Sequence, residues 1–331
     1  MLESILLVGG QGTRLRPLTL TKPKPMLEVG GYPITAHQLA RAREAGVTRV
    51  ILGTAYRAEV FADAFGNGSG FGLQLDHSFE PEPLGTGGGI AQAGAMLRSG
   101  PDEPVLVFNG DVLTGIDIAH ALDVWRESGA EVGLYLVRVE NPRAYGLVPT
   151  DAQGLVTAFL EKPETDEEVV TDQINAGMYI MKRRIIDRIP KGQVVSVERE
   201  VFPTLLAEGV NTLGIVDDGY WLDLGTPAAL LKGSADLVRG YAPSPLLSAN
   251  PALRPDRSAL IFDDSMVDSS AEITGGSVVM PGAEVGAGAK VQGSVVSRGV
   301  RVGPNAIVQG CYLAEGVEVE NRTRIQDQVV C

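Results

Sequence analysis

Ile5-Leu6-Leu7-Val8-Gly9-Gly10-Gln11-Gly12-Thr13-Arg14-Leu15-Arg16-Pro17-Leu18-Thr19 runs an apolar strand straight into a glycine-rich turn. Three glycines in four residues let backbone N–H groups approach an anion closely. Arg14 adds a fixed fork of donors suited to phosphate oxygens. Two familiar phosphate loops are excluded. The P-loop ends in Gly-Lys-Ser/Thr, whereas this turn ends in Gly-Thr-Arg. The dinucleotide fingerprint needs a third glycine where Leu15 stands. A simple strand-to-helix turn rarely needs three glycines beside an arginine. Just downstream, Thr21-Lys22-Pro23-Lys24-Pro25-Met26 places Lys24 between two prolines, each holding the preceding residue extended. Lys24 reads as a positioned cation.

Outward from this turn, Arg49–Leu52, Val105–Phe108 and Val132–Val137 are further apolar runs of strand length. Helical stretches separate them: Ile34–Ala45 begins after Pro33 and stops at Gly46, and Ile118–Ser128 precedes Gly129. Strands buried on both faces and separated by helices predict an α/β fold, a Rossmann-like, mostly parallel sheet flanked by helices. Ligands in such folds bind at the carboxyl ends of the strands.

Near residue 240 the texture changes. Residues 241–259 carry Pro243, Pro245, Pro251 and Pro255 with several Ser and Asn, and read as a linker. Beyond it aliphatic residues recur every six positions at Ile273, Val279, Val285 and Val291. The period slips by one to Val296, Val302 and Val308, then again to Leu313, Val319 and Ile325. A β-meander would alternate strictly. A six-residue period with one inward aliphatic predicts a C-terminal left-handed parallel β-helix of hexapeptide repeats over 260–331, in roughly three coils of about 18 residues.

Composition bounds the partners. Lys and Arg number 28 against 41 Asp and Glu, a net charge of -13. That field repels nucleic acid and anionic membrane, so neither is expected as a partner. No apolar run approaches the roughly 18 residues of a membrane helix. Met1–Val8 lacks a basic n-region and reads as a buried strand, not a signal peptide. Cys311 and Cys331 form no CxxC or Cys/His cluster, so both are expected as free thiols in a reducing cytoplasm.

The glycine turn followed by Lys22-Pro23-Lys24-Pro25-Met26 resembles the signature of the sugar nucleotidyltransferases, which include mannose-1-phosphate guanylyltransferases and glucose-1-phosphate adenylyl-, uridylyl- and thymidylyltransferases. The likeness runs to about residue 230 and implies a catalytic domain over 1–240. It implies that Gly9, Gly10, Gln11, Gly12 and Thr13 bind the nucleotide and that Arg14, Lys24 and Asp111 are catalytic. Asn109-Gly110-Asp111 follows a strand's carboxyl end, and Asp111 lies too far upstream to cap the helix at Ile118. The resemblance assigns Asp111 to Mg²⁺, with Asp223 of Trp221-Leu222-Asp223-Leu224-Gly225-Thr226-Pro227 as second ligand. Two carboxylates suit an ion that completes its shell with phosphate and water. Thr226 is the better cap for the helix starting near Pro227.

On the sugar side the resemblance implies Tyr145 and Gly146, Glu161 and Lys162 of Glu161-Lys162-Pro163, and Asn175 and Gly177 of Asn175-Ala176-Gly177-Met178-Tyr179. Asn109 and Gly110 would contact the nucleotide. Base recognition would use Gln11 with Glu82, Gly85 and Thr86 of Glu82-Pro83-Leu84-Gly85-Thr86-Gly87-Gly88. The Gly-Thr-Gly-Gly turn looks more like guanylyltransferases for mannose or manno-heptose phosphates than like thymidylyltransferases.

The expected substrates are thus a nucleoside triphosphate, GTP preferred, and a sugar 1-phosphate, mannose 1-phosphate preferred. ATP, UTP or dTTP with glucose 1-phosphate, or a heptose or cyclitol phosphate, are the alternatives. A β-helix acyltransferase would use a histidine base, and no histidine lies beyond His120. A non-catalytic regulatory paralogue would be expected to have lost Arg14, Lys24 or Asp111. Such β-helices associate through flat sides, so a homo-oligomer is expected.

Overall fold

The computed structural model describes every residue except Gln11, Glu164 and Asp166. The chain divides into two compact units. One comprises Met1–Gly10, Arg41–Val112 and Ile116–Trp221; the other comprises Gln11–Ala40, Leu113–Gly115 and Leu222–Cys331.

The first unit is built on a nine-stranded sheet whose longer strands are β1 (Glu3–Leu7), β2 (Arg49–Thr54), β3 (Gln74–Phe79), β4 (Pro104–Asn109), β5 (Val132–Arg138), β6 (Gln173–Lys182) and β7 (Thr212–Val216), with two short strands at Gly146–Leu147 and Leu160–Glu161. Parallel pairing joins β1 to β2 and β4, β2 to β3, and β5 to β7. β6 runs antiparallel between β4 and β5. The apolar runs read from the sequence are therefore strands of one mostly parallel α/β sheet. Ile5, Ile51, Val105, Val107, Leu134 and Tyr179 are all fully buried in its core. Burial on both faces explains why these strands show no alternation.

A charged network anchors the amino end of β1. Glu3, fully buried, accepts from the Arg49 guanidinium and from the backbone N–H groups of Arg98 and Ser99 at 2.8 and 2.7 Å. Arg49 Nε also donates to Asp76 at 2.7 Å. Burial pushes the Glu3 carboxyl up, but these donors outweigh it and hold it below its ordinary value.

The second unit contains α1 (Ile34–Glu44) in part and the β-helix. Three parallel sheets of five, four and four short strands wrap its core. Ile273, Val279, Val285, Val291, Val296, Val302, Val308 and Leu313 point inward, at most 2% exposed. The coils are shorter and more numerous than expected. Ala259 pairs with Ser277 (18 residues on), whereas Val278 pairs with Val295 and Val295 with Tyr312 (17 residues on each). One corner accounts for both slips. It holds Gly275-Gly276 in the first coil but only Gly293 and Gly310 in the next two. A buried ladder lines this corner: Ser294 N donates to Ser277 Oγ at 3.1 Å and Cys311 N to Ser294 Oγ at 3.0 Å. Neither cysteine is in a disulfide; Cys311 is buried and Cys331 exposed.

The proline-punctuated signature segment packs within this same unit. Tyr312, fully buried in the β-helix, donates its hydroxyl to the Glu28 carbonyl at 3.3 Å. Lys22 Nζ lies 3.1 Å from Glu28 and 3.2 Å from Glu315. Buried His37 sits between Ser244 Oγ at 2.7 Å and the Val29 carbonyl at 2.8 Å. A carbonyl can only accept, so Nε2 carries a proton. Residues 241–258 contain no helix or strand beyond an isolated bridge at Leu253.

Candidate active site

In the second unit Gly12, Arg14, Lys24 and Asp223 form one cluster. Gly12 adopts left-handed geometry (φ +60°), and a Cβ there would lie 2.7 Å from Lys24 Cβ. Only glycine lets the lysine stem pass so close. Thr19 Oγ1 donates to the Gly12 carbonyl at 2.9 Å and fixes the turn. The Lys24 side chain is 7% exposed, with Nζ 3.4 Å from Asp223 Oδ1. Arg14, 70% exposed, reaches within 3.9 Å of Asp223 Oδ2. A side chain at Gly225 would collide with both, at 2.8 Å from Arg14 and 2.9 Å from Asp223. Thr226 caps the helix Pro227–Arg239 by accepting from Ala229 N at 3.2 Å. Asp223 is thereby relieved of a capping role. Gln11 lies outside the described residues.

In the first unit, β4 delivers Asn109-Gly110-Asp111 at its carboxyl end. Gly110 N donates to the Leu7 carbonyl at 2.8 Å, and a Cβ would stand 2.3 Å from that oxygen. The glycine is a close-approach requirement that sets Asp111 beyond the strand. Asp117 caps the helix Ile118–Ser128 by accepting from His120 N at 2.9 Å, so Asp111 is not the cap.

The base-side turn opens the helix Gly85–Gly94. Gly85 is left-handed (φ +71°), and a Cβ would meet the Val195 carbonyl at 2.7 Å. The N–H groups of Gly87 and Gly88 both donate to that carbonyl, at 2.8 and 3.2 Å. A Cβ at Gly88 would fall 2.5 Å from the Gln193 carbonyl. The Gly-Thr-Gly-Gly sequence thus has a packing reason within the fold. Thr86 Oγ1 donates to Glu198 at 2.7 Å and accepts from Val197 N at 2.9 Å. Glu82 is exposed. Nearby Glu80, 7% exposed, accepts from Leu84 N at 3.0 Å, and burial pushes its carboxyl up.

Of the residues expected on the sugar side, Asn175 and Gly177 lie at a bulge. The β5–β6 register shifts between Asn175 and Tyr179, and Gly177 sits there at φ +78°. A Cβ on Gly177 would touch the Asn109 side chain at 3.1 Å. Asn175 Oδ1 accepts from Gly177 N at 3.0 Å. Gly146 pairs with Glu161, and a Cβ there would lie 2.7 Å from the Glu161 carboxylate. Lys162 is left-handed (φ 52°), donates its N–H to the Tyr145 carbonyl at 3.2 Å, and holds Nζ 3.6 Å from Glu161. Trp221 ties these pieces together, donating Nε1 to the Ala176 carbonyl at 3.0 Å and meeting Tyr145 edge-on at 5.3 Å.

Sequence reasoning missed Glu80, Tyr179, Glu198 and Trp221 as contributors. Glu198 and Glu80 carry no local signal, because an isolated glutamate reads as solvated surface. Bulges sit beside functional sites often enough that Gly177 followed by Tyr179 could have drawn attention to the aromatic.

The two expected cation ligands, Asp111 and Asp223, each offer carboxylate oxygens. No three His, Cys, Asp or Glu side chains converge among the described residues. Few carboxylates and hard oxygen ligands fit a small divalent cation that draws its remaining ligands from phosphate and water, and argue against a closed structural cage.

Comparison with known proteins identifies the family. Residues 3–240 match the model described as Nucleotidyl transferase, and residues 253–330 match the GlmU-like, C-terminal hexapeptide model. The mannose-1-phosphate guanylyltransferase of Mycobacterium tuberculosis is 53% identical over 293 residues, 88% of this chain and 78% of that protein. The mannose-1-phosphate guanyltransferase of Schizosaccharomyces pombe is 35% identical over 82% of this chain and 73% of that protein. Among solved structures, HddC from Yersinia pseudotuberculosis complexed with GMP-PN aligns with a TM-score of 0.59 at 27% identity, covering 71% of this chain and 98% of that one. With a signature turn, a strand-end aspartate and a matching family model over most of its length, the chain belongs to the nucleotidyl transferase family.

Proposed function

We propose that the chain condenses GTP with mannose 1-phosphate to give GDP-mannose and pyrophosphate. The observation that carries this reading is the 53% identity, over 88% of the chain, to a relative named mannose-1-phosphate guanylyltransferase. The GMP-PN complex of HddC supports the choice of guanine.

A phosphate oxygen of the sugar phosphate attacks the α-phosphorus of the triphosphate. The α-phosphorus–oxygen bond to the β-phosphate breaks in line, and pyrophosphate leaves with the electron pair. The nucleophile is already ionised at neutral pH, so no side chain need take a proton. Catalysis is then positioning and charge neutralisation. Gly9, Gly10, Gln11, Gly12 and Thr13 cradle phosphates, with Asn109 and Gly110 beside them. Arg14 and Lys24 stabilise the departing pyrophosphate. Lys162 anchors the incoming phosphate, while Tyr145, Gly146, Glu161, Asn175 and Gly177 hold the sugar. Glu82, Gly85 and Thr86 serve the base. Asp111 and Asp223 would hold Mg²⁺, which supplies neutralisation of phosphate charge when bound.

Residues 1–240 would form the catalytic portion, 241–259 the linker and 260–331 a structural β-helix through which a cytoplasmic homo-oligomer assembles. No helix among the described residues is long and apolar enough to cross a membrane.

The test is pyrophosphate release across GTP, ATP, UTP and dTTP against mannose, glucose, heptose and cyclitol phosphates. GTP with mannose 1-phosphate should give the highest kcat/KM. A higher value for another pair would replace the substrate assignment and leave the reaction class standing.

A further inference from the structure

We propose that Glu198, which no motif marks, is a positioning residue that couples the base-side turn to the sugar-side loop through the phenol of Tyr179. The inference rests on the functional reading of Thr86 and Asn175 given above.

Glu198 sits in a single π-helical turn, Val197–Val201, a geometry that recurs at functional sites. One carboxylate oxygen accepts from Thr86 Oγ1 at 2.7 Å and from Ser196 Oγ at 3.1 Å. The other accepts from Tyr179 Oη at 3.4 Å. That hydroxyl in turn accepts from Asn175 Nδ2 at 2.9 Å.

Donor and acceptor directions are fixed along the whole chain. An ionised carboxylate only accepts, so Thr86 and Tyr179 must both donate to it. Tyr179 is fully buried, and burial first, then the Glu198 charge, pushes its phenol up, while hydrogen bonds from Asn175 and Asn109 pull the other way. It stays a neutral donor. With its proton committed to Glu198, its lone pairs face Asn175, which must present its NH₂ group rather than its oxygen.

Asn175 Oδ1 is already engaged by Gly177 N. The amide therefore cannot turn over without losing bonds at both ends. Its second N–H becomes a donor of fixed direction, suited to a hydroxyl oxygen of the sugar. At the other end, Glu198 fixes the Thr86 rotamer, and Thr86 Oγ1 also receives Val197 N. One carboxylate thus sets the side-chain orientation of a base-side and a sugar-side residue.

The test uses the full chain with GTP and mannose 1-phosphate. Glu198→Gln keeps the shape but replaces an anionic acceptor with an amide that can donate the wrong way. It should raise KM for both substrates about 10-fold or more, the scale of a lost charge-assisted hydrogen bond. Tyr179→Phe keeps the Glu198–Thr86 bond but cuts the contacts to Asn175 and Asn109, and should raise KM for mannose 1-phosphate several-fold and KM for GTP by less. The double variant should show no larger KM for mannose 1-phosphate than Glu198→Gln alone, because both cut one chain. Should Glu198→Gln fail to fold, the KM split of Tyr179→Phe decides alone. Unchanged KM values in folded variants of an active wild type would overturn the coupling. So would equal rises in both KM values for Tyr179→Phe, or additive effects in the double variant. Wild-type protein inactive with every substrate pair would overturn the functional reading, and the coupling with it.

Discussion

In the proposed mechanism Lys24 carries the largest share of the charge stabilisation. Its side chain is 7% exposed, with Nζ 3.4 Å from Asp223 Oδ1. Lys24→Ala should lower kcat about 100-fold or more, the scale of a lost preorganised electrostatic donor. Near-normal turnover in that variant would remove Lys24 from the mechanism. Gly12 is coupled to it sterically. Gly12→Ala puts a methyl 2.7 Å from Lys24 Cβ at a backbone angle that disfavours side chains. Small misplacements of catalytic groups cost on the order of 10- to 100-fold, so kcat should fall by that amount, measured under saturating substrate. At this scale the sequence was informative at Gly12, whereas Lys24 is not held extended before Pro25 as expected but opens the 3-10 turn Lys24–Met26. The sequence was silent where a charge finds its role only through distant partners, as Glu198 does with Thr86, 112 positions away.

Among elements, β1 and β2 are tied by the buried Glu3–Arg49–Asp76 network. Removing one partner of a buried ion pair costs roughly 3–5 kcal/mol, so Glu3→Gln should melt markedly lower at neutral pH. The Glu3 carboxyl is held below its ordinary value of 4.5. Its contribution is therefore fully present above that value and is lost as pH falls through the lower, folded-state value. The melting gap between wild type and Glu3→Gln should close in acid; a gap that stays constant would show that Glu3 is not the titrating group. In the β-helix, Ser294→Ala leaves the buried Cys311 N–H without its acceptor. That costs about 1–3 kcal/mol and should lower the melting midpoint by a few degrees in a thermal scan.

The six-residue period disclosed the β-helix because one inward aliphatic per side is dictated by its triangular section. The slips were visible as well, but their structural form was not. A missing residue at one corner is compatible with the pattern in several ways, and only the Ser277–Ser294–Cys311 ladder shows which corner closes up. Likewise β6 was not among the expected strands. It forms antiparallel between β4 and β5, a pairing set by tertiary contacts rather than by its own pattern.

For the whole molecule, the compact units do not follow the order of the chain. The segment Gln11–Ala40, which contains Arg14 and Lys24, belongs with Leu222–Cys331, while Asp111 and the sugar-side residues belong with the α/β unit. Linear texture marks a change near residue 240, where prolines accumulate, but it carries no record of an early segment packing with a late one. Contacts such as Tyr312 with the Glu28 carbonyl, 284 positions apart, are set by three-dimensional complementarity alone. The reaction class was nonetheless legible, because phosphate chemistry demands glycine turns and cations whose spacing survives in the linear sequence. The most direct test of the account is product analysis of purified protein incubated with GTP, mannose 1-phosphate and Mg²⁺. One pyrophosphate should appear for each GDP-mannose, and none when either substrate is omitted; absence of release with every nucleotide and sugar phosphate, or release from nucleotide alone, would contradict nucleotidyl transfer to a sugar phosphate.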